Sequence, residues 1–282
     1  MIRILSTFVI LWAGAAQAEV QIKTPTSPGG IAAWVVEEPS IPFTALEIMF
    51  SGGAALDPRD KRGAAYLMTG LLEEGSGDMD AQAFAAAQEA LAASFGFDVY
   101  DDTVTISVRF LTENRAESLA LLKTVLTQPR FDPEAIERVR TQVLSILATD
   151  AQDPDSVAGA TWSQLAFGQH AYGTPREGTA ASVAALTRED IIAAHQRLFT
   201  RDTLSVSAVG DISAAELGPM LDDLLGQLPA GEGLKTAAVD FATEGGLTVV
   251  DMPTPQSVAL FGHVGIDRDH PDFFAAFVLN TI

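Results

Sequence analysis

Cysteine is absent from the 282-residue sequence, and basic residues are scarce. Seventeen Lys and Arg stand against 37 Asp and Glu, which gives a formal net charge of -20. Without cysteine the chain has no disulfide framework, no thiolate-bound zinc or iron–sulfur cluster and no cysteine nucleophile. The acidic charge has the wrong sign for holding a phosphate backbone, which argues against nucleic acid as a partner. Any catalysis would therefore rely on oxygen and imidazole groups.

Long apolar runs are also missing, apart from one at the N-terminus. Arg3 precedes the apolar run 4–14, and Ala16-Gln17-Ala18 follows it, in the order of a signal peptide and its cleavage site. A membrane anchor is the alternative, but the run is too short to cross about 30 Å of hydrocarbon as a helix. We therefore expect residues 1–18 to be a cleaved signal peptide. The mature protein is expected to have no membrane span and to lie in the periplasm of a Gram-negative cell.

Strand-like and helix-like patterns share the rest of the chain. The predicted strands are 31–36, 43–50, 95–100, 103–111 and 204–209, and the predicted helices are 63–74, 80–93, 116–126, 133–150, 155–167, 191–199 and 214–228. The first two strands, separated by Pro39 and Pro42, are expected to pair with each other. Because the elements alternate without the rhythm of a parallel fold, the predicted class is α+β, a mainly antiparallel sheet flanked by helices.

A second domain is predicted to begin after a linker. Residues 229–245 are rich in Gly and small residues, and the run 246–250 ahead of Pro253 echoes the run 30–36 ahead of Pro39. This pattern predicts a first domain over 19–228, a linker over 229–245 and the beginning of a second similar domain over 246–282. The predicted apolar helix at 273–282 has no terminating residue, so we expect the sequence to be a fragment of a longer protein. A helix that docks at a natural C-terminus is the alternative.

Residues that could carry chemistry are few and scattered. The four histidines are His170, His195, His263 and His270, and no two of them lie three or four residues apart, as a helical zinc site requires. We expect His170 to bond backbone in a loop and His195 to lie on the outward face of a helix. The acid pairs Glu73-Glu74 and Asp101-Asp102 are interpreted as a solvated helix end and a turn. The sequence also has no Gly-x-Ser-x-Gly elbow, phosphate-binding loop or dinucleotide fingerprint.

Three stretches of the sequence, taken in their order and spacing, resemble those of a known protein family. They are Gly63-Ala-Ala-Tyr-Leu-Met-Thr-Gly-Leu-Leu-Glu-Glu-Gly75, then Phe167-Gly-Gln-His-Ala-Tyr-Gly-Thr-Pro175, and then Leu186-Thr-Arg-Glu-Asp190 continuing to Val209-Gly-Asp211. Together they resemble the pitrilysin/insulinase family of zinc peptidases, which includes the mitochondrial processing peptidase. Residues 262–272 look like the beginning of that family's second domain, so the resemblance covers nearly all of the mature chain.

The resemblance implies a zinc site that this sequence does not complete. Active members carry His-x-x-Glu-His on the first helix, where two histidines bind zinc and the glutamate activates a metal-bound water. The matching positions here are Tyr66, Thr69 and Gly70, and the third ligand position falls at Ile146 or Leu147. None of these side chains offers a suitable ligand or carboxylate base. We therefore predict no catalytic residue and no metal in this chain.

The resemblance also implies a role. Family members bind peptide as an added strand at a sheet edge, and in two-chain members one subunit holds zinc while the other is metal-free. The leading hypothesis is a zinc-free subunit of a periplasmic peptidase that encloses and positions peptide for a catalytic partner, which holds the zinc. The alternatives are a stand-alone peptide-binding or assembly-scaffold protein and, less favoured, an active hydrolase. The acidic charge of the chain favours basic peptides.

Overall fold

The computed structural model describes residues 20–231, 233–241 and 245–281, so the predicted signal peptide lies outside the described residues. The strands are β1 (Ala33–Glu37), β2 (Phe43–Ser51), β3 (Gly75–Ser76), β4 (Met79–Asp80), β5 (Ser94–Val99), β6 (Thr103–Leu111) and β7 (Leu204–Gly210). The helices are α1 (Ala64–Gly70), α2 (Ala81–Ala90), α3 (Arg115–Thr127), α4 (Pro133–Asp150), α5 (Pro154–Phe167), α6 (Ala180–Ala185), α7 (Arg188–Leu198), α8 (Ala214–Leu225) and α9 (Phe273–Leu279). The predicted α+β class is confirmed.

Five strands form one mixed sheet in the order β1-β7-β2-β6-β5, and β3 and β4 form a separate short hairpin. The ladders β7-β2, β2-β6 and β6-β5 are antiparallel, whereas β1 and β7 run parallel. The predicted pairing of β1 with β2 is wrong, because β7 lies between them. Ala45 of β2 stands opposite Val209 of β7 on one side and Arg109 of β6 on the other.

One face of the sheet is covered by helices and forms the core. Alternate residues of β2 and β6 point into it, and Ile48, Phe50, Val104 and Ile106 are fully buried. Phe50 meets Phe199, which follows α7, edge to face at a centroid distance of 4.8 Å. The opposite face of the sheet is uncovered in the described part of the chain. It carries mostly small and polar residues, with Trp34, Met49 and Val209 as its exposed large apolar side chains.

Capping residues determine where several helices begin. Asp80 accepts a hydrogen bond from the backbone N–H of Ala83 at the start of α2, and Thr187 with Asp190 forms the predicted capping box of α7. Helix α1 is shorter than predicted and ends at Gly70 rather than at 74. At this point the backbone hydrogen bonds change from a spacing of four residues to a spacing of three. The N–H groups of Leu71 and of the residue after it donate to carbonyls three residues earlier, and the chain continues as turns.

The C-terminal region differs from the expected domain start. The predicted strand-like run 246–250 forms no strand, since none of the described residues supplies a neighbouring strand to satisfy its backbone groups. The predicted apolar helix does form, as α9, and exposes Phe274, Phe277 and Leu279. The division into two domains stays a prediction. Among the described residues, no helix has the length and apolar character needed to cross a membrane.

Candidate active site

The first helix starts on a buried carboxylate. Asp57 is 7% exposed, and it accepts hydrogen bonds from the backbone N–H groups of Gly63 (3.1 Å) and Ala65 (3.1 and 3.2 Å) at the start of α1. The guanidinium of Arg197 on α7 donates to the same carboxylate over 2.7 Å. A negative charge at a helix N-terminus is stabilising, but burial raises the pKa of Asp57 to about 6. This carboxylate joins α1 to α7.

Arg62 attaches two loops to the same end of α1. Its buried guanidinium donates to the carbonyl of Thr174 (2.9 Å), the carbonyl of Pro175 (3.2 Å) and the carboxylate of Asp101 (2.7 Å). A Cβ at Gly178 would lie 2.3 Å from the Arg62 carbonyl oxygen, so the backbones approach closely here. The turn between β5 and β6 and the loop after α5 are therefore fixed around the start of α1.

The three motif positions of α1 contain no metal ligand. Thr69 is buried, and its hydroxyl donates to the backbone carbonyl of Tyr66 over 3.0 Å, within the helix itself. Gly70 packs against α4, where a Cβ would lie 3.1 Å from Cγ1 of Val139. Tyr66 offers only a phenol, whose pKa is raised above its ordinary value, chiefly by burial. Neither a carboxylate base nor an imidazole stands on this face of α1.

The third ligand position lies on α4, the helix that packs against α1. Val139, in the first half of α4, contacts the end of α1 at Gly70. Leu147 packs against the core, whereas Ile146 is 42% exposed. The helix pair that would bring three ligands together is present, but its side chains do not fit zinc. Within the described ranges, no three His, Asp or Glu residues cluster as a metal site.

The charged neighbours of Tyr66 include Arg176 and Glu177, two consecutive residues of a loop. The guanidinium carbon of Arg176 lies 5.5 Å from the ring centroid of Tyr100, and its Nε donates to the Glu177 carboxylate over 3.0 Å. After burial, the negative charge of Glu177 is the next largest factor that raises the pKa of Tyr66, and the positive charge of Arg176 opposes it. Arg176 and Glu177 belong to the loop that Arg62 holds against α1.

His170 and His195 contact other parts of the protein, whereas His263 and His270 do not lie in the core. His170 accepts a hydrogen bond at Nδ1 from the backbone N–H of Tyr172, and its Nε2 lies 3.0 Å from the carbonyl oxygen of Ala237, in agreement with the predicted backbone bonding. The expectation that His195 faces outward is wrong. Its ring packs against Phe131 and Phe199 at centroid distances of 5.9 and 4.9 Å, and burial lowers its pKa to about 4. His263 and His270 are both exposed in the C-terminal region.

A hydrogen-bonded cluster at the turn between β5 and β6 was not foreseen. The Tyr172 hydroxyl donates to Asp102 over 2.7 Å, and Thr236 donates to the same carboxylate over 2.6 Å. Burial and the contact with Asp102 raise the pKa of Tyr172 to about 12. The contact of Asp57 with Arg197, which is 140 residues away in the sequence, was not predicted either. No local spacing in the sequence indicates such partners, since only the folded chain brings them together.

The sequence of this chain is similar to sequences of known proteins. The model for "Insulinase (Peptidase family M16)" matches residues 34–180, and the model for "Peptidase M16 inactive domain" matches residues 185–282. The chain is 27% identical over 222 residues to a protein named non-peptidase homolog YmxG from Helicobacter pylori, covering 79% of this chain and 51% of that protein.

Two further similarities extend the comparison. The chain is 21% identical over 247 residues to the beta subunit of the mitochondrial-processing peptidase of Blastocladiella emersonii, covering 86% of this chain and 53% of that subunit. A crystal structure of a peptidase M16 inactive domain from Pseudomonas fluorescens superposes with a TM-score of 0.72 at 26% identity, covering 78% of this chain and 53% of that one. The chain therefore spans about half the length of these relatives.

Proposed function

The chain belongs to the insulinase family, peptidase family M16, and on that premise we propose that it is a zinc-free, non-catalytic subunit of a periplasmic peptidase. In this role it encloses and positions peptide substrate, while a catalytic family member with an intact His-x-x-Glu-His motif holds the zinc and cleaves. The compartment follows from the predicted signal peptide at residues 1–18.

One observation carries the proposal: the two helices that would hold the zinc ligands, α1 and α4, pack together, but the ligand side chains are absent from the motif positions. Helices α1 and α4 pack with Gly70 against Val139, and Asp57 and Arg62 fix the start of α1. The positions that would hold zinc are occupied by Tyr66, Thr69, Gly70 and an apolar residue of α4. A chain of this kind can still form one wall of a chamber, but its described residues bring no set of zinc ligands together to polarise a peptide bond.

The relatives support this reading. One is named a non-peptidase homolog, and another is named a subunit of a processing peptidase, which implies that it assembles with further chains. The net charge of -20 favours basic peptides. Strand β5 forms one edge of the sheet, so its outer backbone groups can accept a peptide as an additional strand.

A reconstitution experiment tests the proposal. The full chain is purified alone and together with a family member from the same cell that carries the intact motif, and cleavage of a labelled basic peptide is measured. We expect no cleavage by the chain alone, a stable complex with the partner, and a higher kcat/KM for the complex than for the partner alone. Replacing the motif glutamate of the partner by Gln is the control, and it should abolish all cleavage.

Two results would contradict the proposal. Cleavage by the chain alone, with zinc bound, would make it an active hydrolase. Peptide binding without any association with the partner would instead support the second candidate, a stand-alone peptide-binding or scaffold protein, and would overturn the subunit role.

A further inference from the structure

One residue of a loop and one residue of α1 each present a hydrogen-bond donor near the start of α1. Residues 174–178 wrap the start of α1, held by the Arg62 guanidinium. The Glu177 carbonyl oxygen lies 2.5 Å from where a Cβ of Gly63 would be, so the two backbones are in direct contact. Tyr66 stands three residues after Gly63 and therefore lies on the same side of the helix. Arg176, next to Glu177 in the loop, lies near enough to Tyr66 for its positive charge to influence the pKa of the phenol.

Arg176 keeps most of its hydrogen-bonding capacity. In the part of the chain that the structure describes, only its Nε has an acceptor, the Glu177 carboxylate at 3.0 Å. Its two terminal nitrogens make no hydrogen bond there, and the side chain is 40% exposed. The ring of Tyr100, which directly follows the edge strand β5, lies under the guanidinium at 5.5 Å and restrains its position. The group is thus held in place with four N–H donors unused.

The Tyr66 hydroxyl is the second donor. It makes no hydrogen bond to any residue that the structure describes, although the ring is half-buried against the core. Three carboxylates influence its pKa, those of Asp98, Asp150 and Glu177. Because Arg176 is already paired with Glu177, Asp98 and Asp150 leave the surroundings with an excess of negative charge, which disfavours a free carboxylate more than an uncharged carbonyl oxygen. The surroundings therefore favour a neutral acceptor.

We propose that Arg176 and Tyr66 together bind a main-chain carbonyl oxygen of an extended peptide lying along the edge of β5. The proposal rests on the proposed function and assigns it two binding residues. A peptide that adds to β5 as a strand reaches the end of that strand at Tyr100, under the Arg176 guanidinium. A cationic donor and a hydroxyl can bind there the same type of oxygen that a metal would polarise, but they hold the peptide without cleaving it.

Peptide affinities of variants test the proposal. The probe is a fluorescein-labelled, unstructured peptide of Arg, Lys, Ser and Ala residues, and its binding to the full chain is measured by fluorescence anisotropy. We expect Arg176→Gln to weaken binding about tenfold and Tyr66→Phe about threefold. Arg176→Lys should retain only part of the affinity, because an ammonium lacks the fork of guanidinium donors. Arg201→Gln, at an exposed site near the Gly226 carbonyl, is the matched control and should bind normally.

The outcomes separate this inference from the function on which it rests. If the unsubstituted chain binds no peptide, the proposed function is contradicted. If it binds peptide and neither Arg176→Gln nor Tyr66→Phe weakens binding, only the site assignment is overturned. Tyr66→Phe keeps the ring in place, so the test stands even if an Arg176 variant does not fold. Amidated and free-acid peptides should bind equally; much tighter binding of the free acid would overturn the carbonyl assignment.

Discussion

Replacing His195 by Gln should change how the stability of the protein depends on pH. The His195 ring is enclosed by Phe131 and Phe199, and burial lowers its pKa to about 4. In the unfolded chain a histidine titrates near pH 6.5. Between these two pH values the unfolded chain binds more protons than the folded chain, so the free energy of unfolding falls as the pH falls. The loss amounts to about 3 kcal/mol by pH 4.

Asp57 has the opposite effect. Burial raises its pKa from 3.8 to about 6, so between these values the folded chain binds more protons than the unfolded chain. Lowering the pH therefore stabilises the protein through Asp57, again by about 3 kcal/mol. The pH-dependent contributions of His195 and Asp57 to the free energy of unfolding largely cancel in the unsubstituted chain. His195→Gln should leave the Asp57 contribution uncompensated, and Asp57→Asn should leave that of His195.

Urea unfolding of the full chain between pH 4 and pH 7 measures both effects. Relative to the unsubstituted chain, His195→Gln should gain stability as the pH falls, and Asp57→Asn should lose it. Taking differences removes the contribution of the many exposed carboxylates, which titrate in all three proteins. If the three curves of unfolding free energy against pH run parallel, neither His195 nor Asp57 has the shifted pKa on which this prediction depends.

Substitutions at glycine test the packing around α1. Gly63→Ala should cost at least about 2 kcal/mol, because Gly63 has φ of 98° and a Cβ there would meet the Glu177 carbonyl. Gly159→Ala on α5, with open space around the new Cβ, is the matched control and should stabilise by about 0.5 to 1 kcal/mol; equal effects in urea unfolding would contradict this account. Gly70→His should destabilise by about 1 to 3 kcal/mol through contact with Val139. Val139→Ala should lower the free energy of unfolding less in the Gly70→His protein than in the unsubstituted chain. If the two losses simply add, Gly70→His does not contact Val139.

Local patterns in the sequence predicted most of the individual elements. The alternation of Val104, Ile106 and Val108 gave β6, and Pro133 marked the first residue of α4. The order of strands could not be obtained in this way. Strand β7 enters the sheet between β1 and β2 from a position more than 150 residues further along, and its insertion depends on long-range pairing that no local pattern encodes.

The candidate site was predictable only where the family motif applies. Tyr66, Thr69 and Gly70 could be placed on one helix from their spacing, and the structure shows them on α1. The residues that hold this helix in place could not, because Asp57 and Arg197 meet across 140 residues. The orientation of His195 was mispredicted because a single histidine on a helix gives no sign of the aromatic rings that other elements bring to it.

The metal content of the chain purified alone shows whether its first helix can hold zinc. After incubation with excess zinc and removal of the unbound ion, zinc per chain is measured by mass spectrometry, with an intact-motif family member treated in parallel. Because Tyr66, Thr69, Gly70 and the facing residues of α4 provide no ligand set, we expect far less than one zinc per chain. One tightly bound zinc per chain, lost when the α1 positions are substituted, would contradict it.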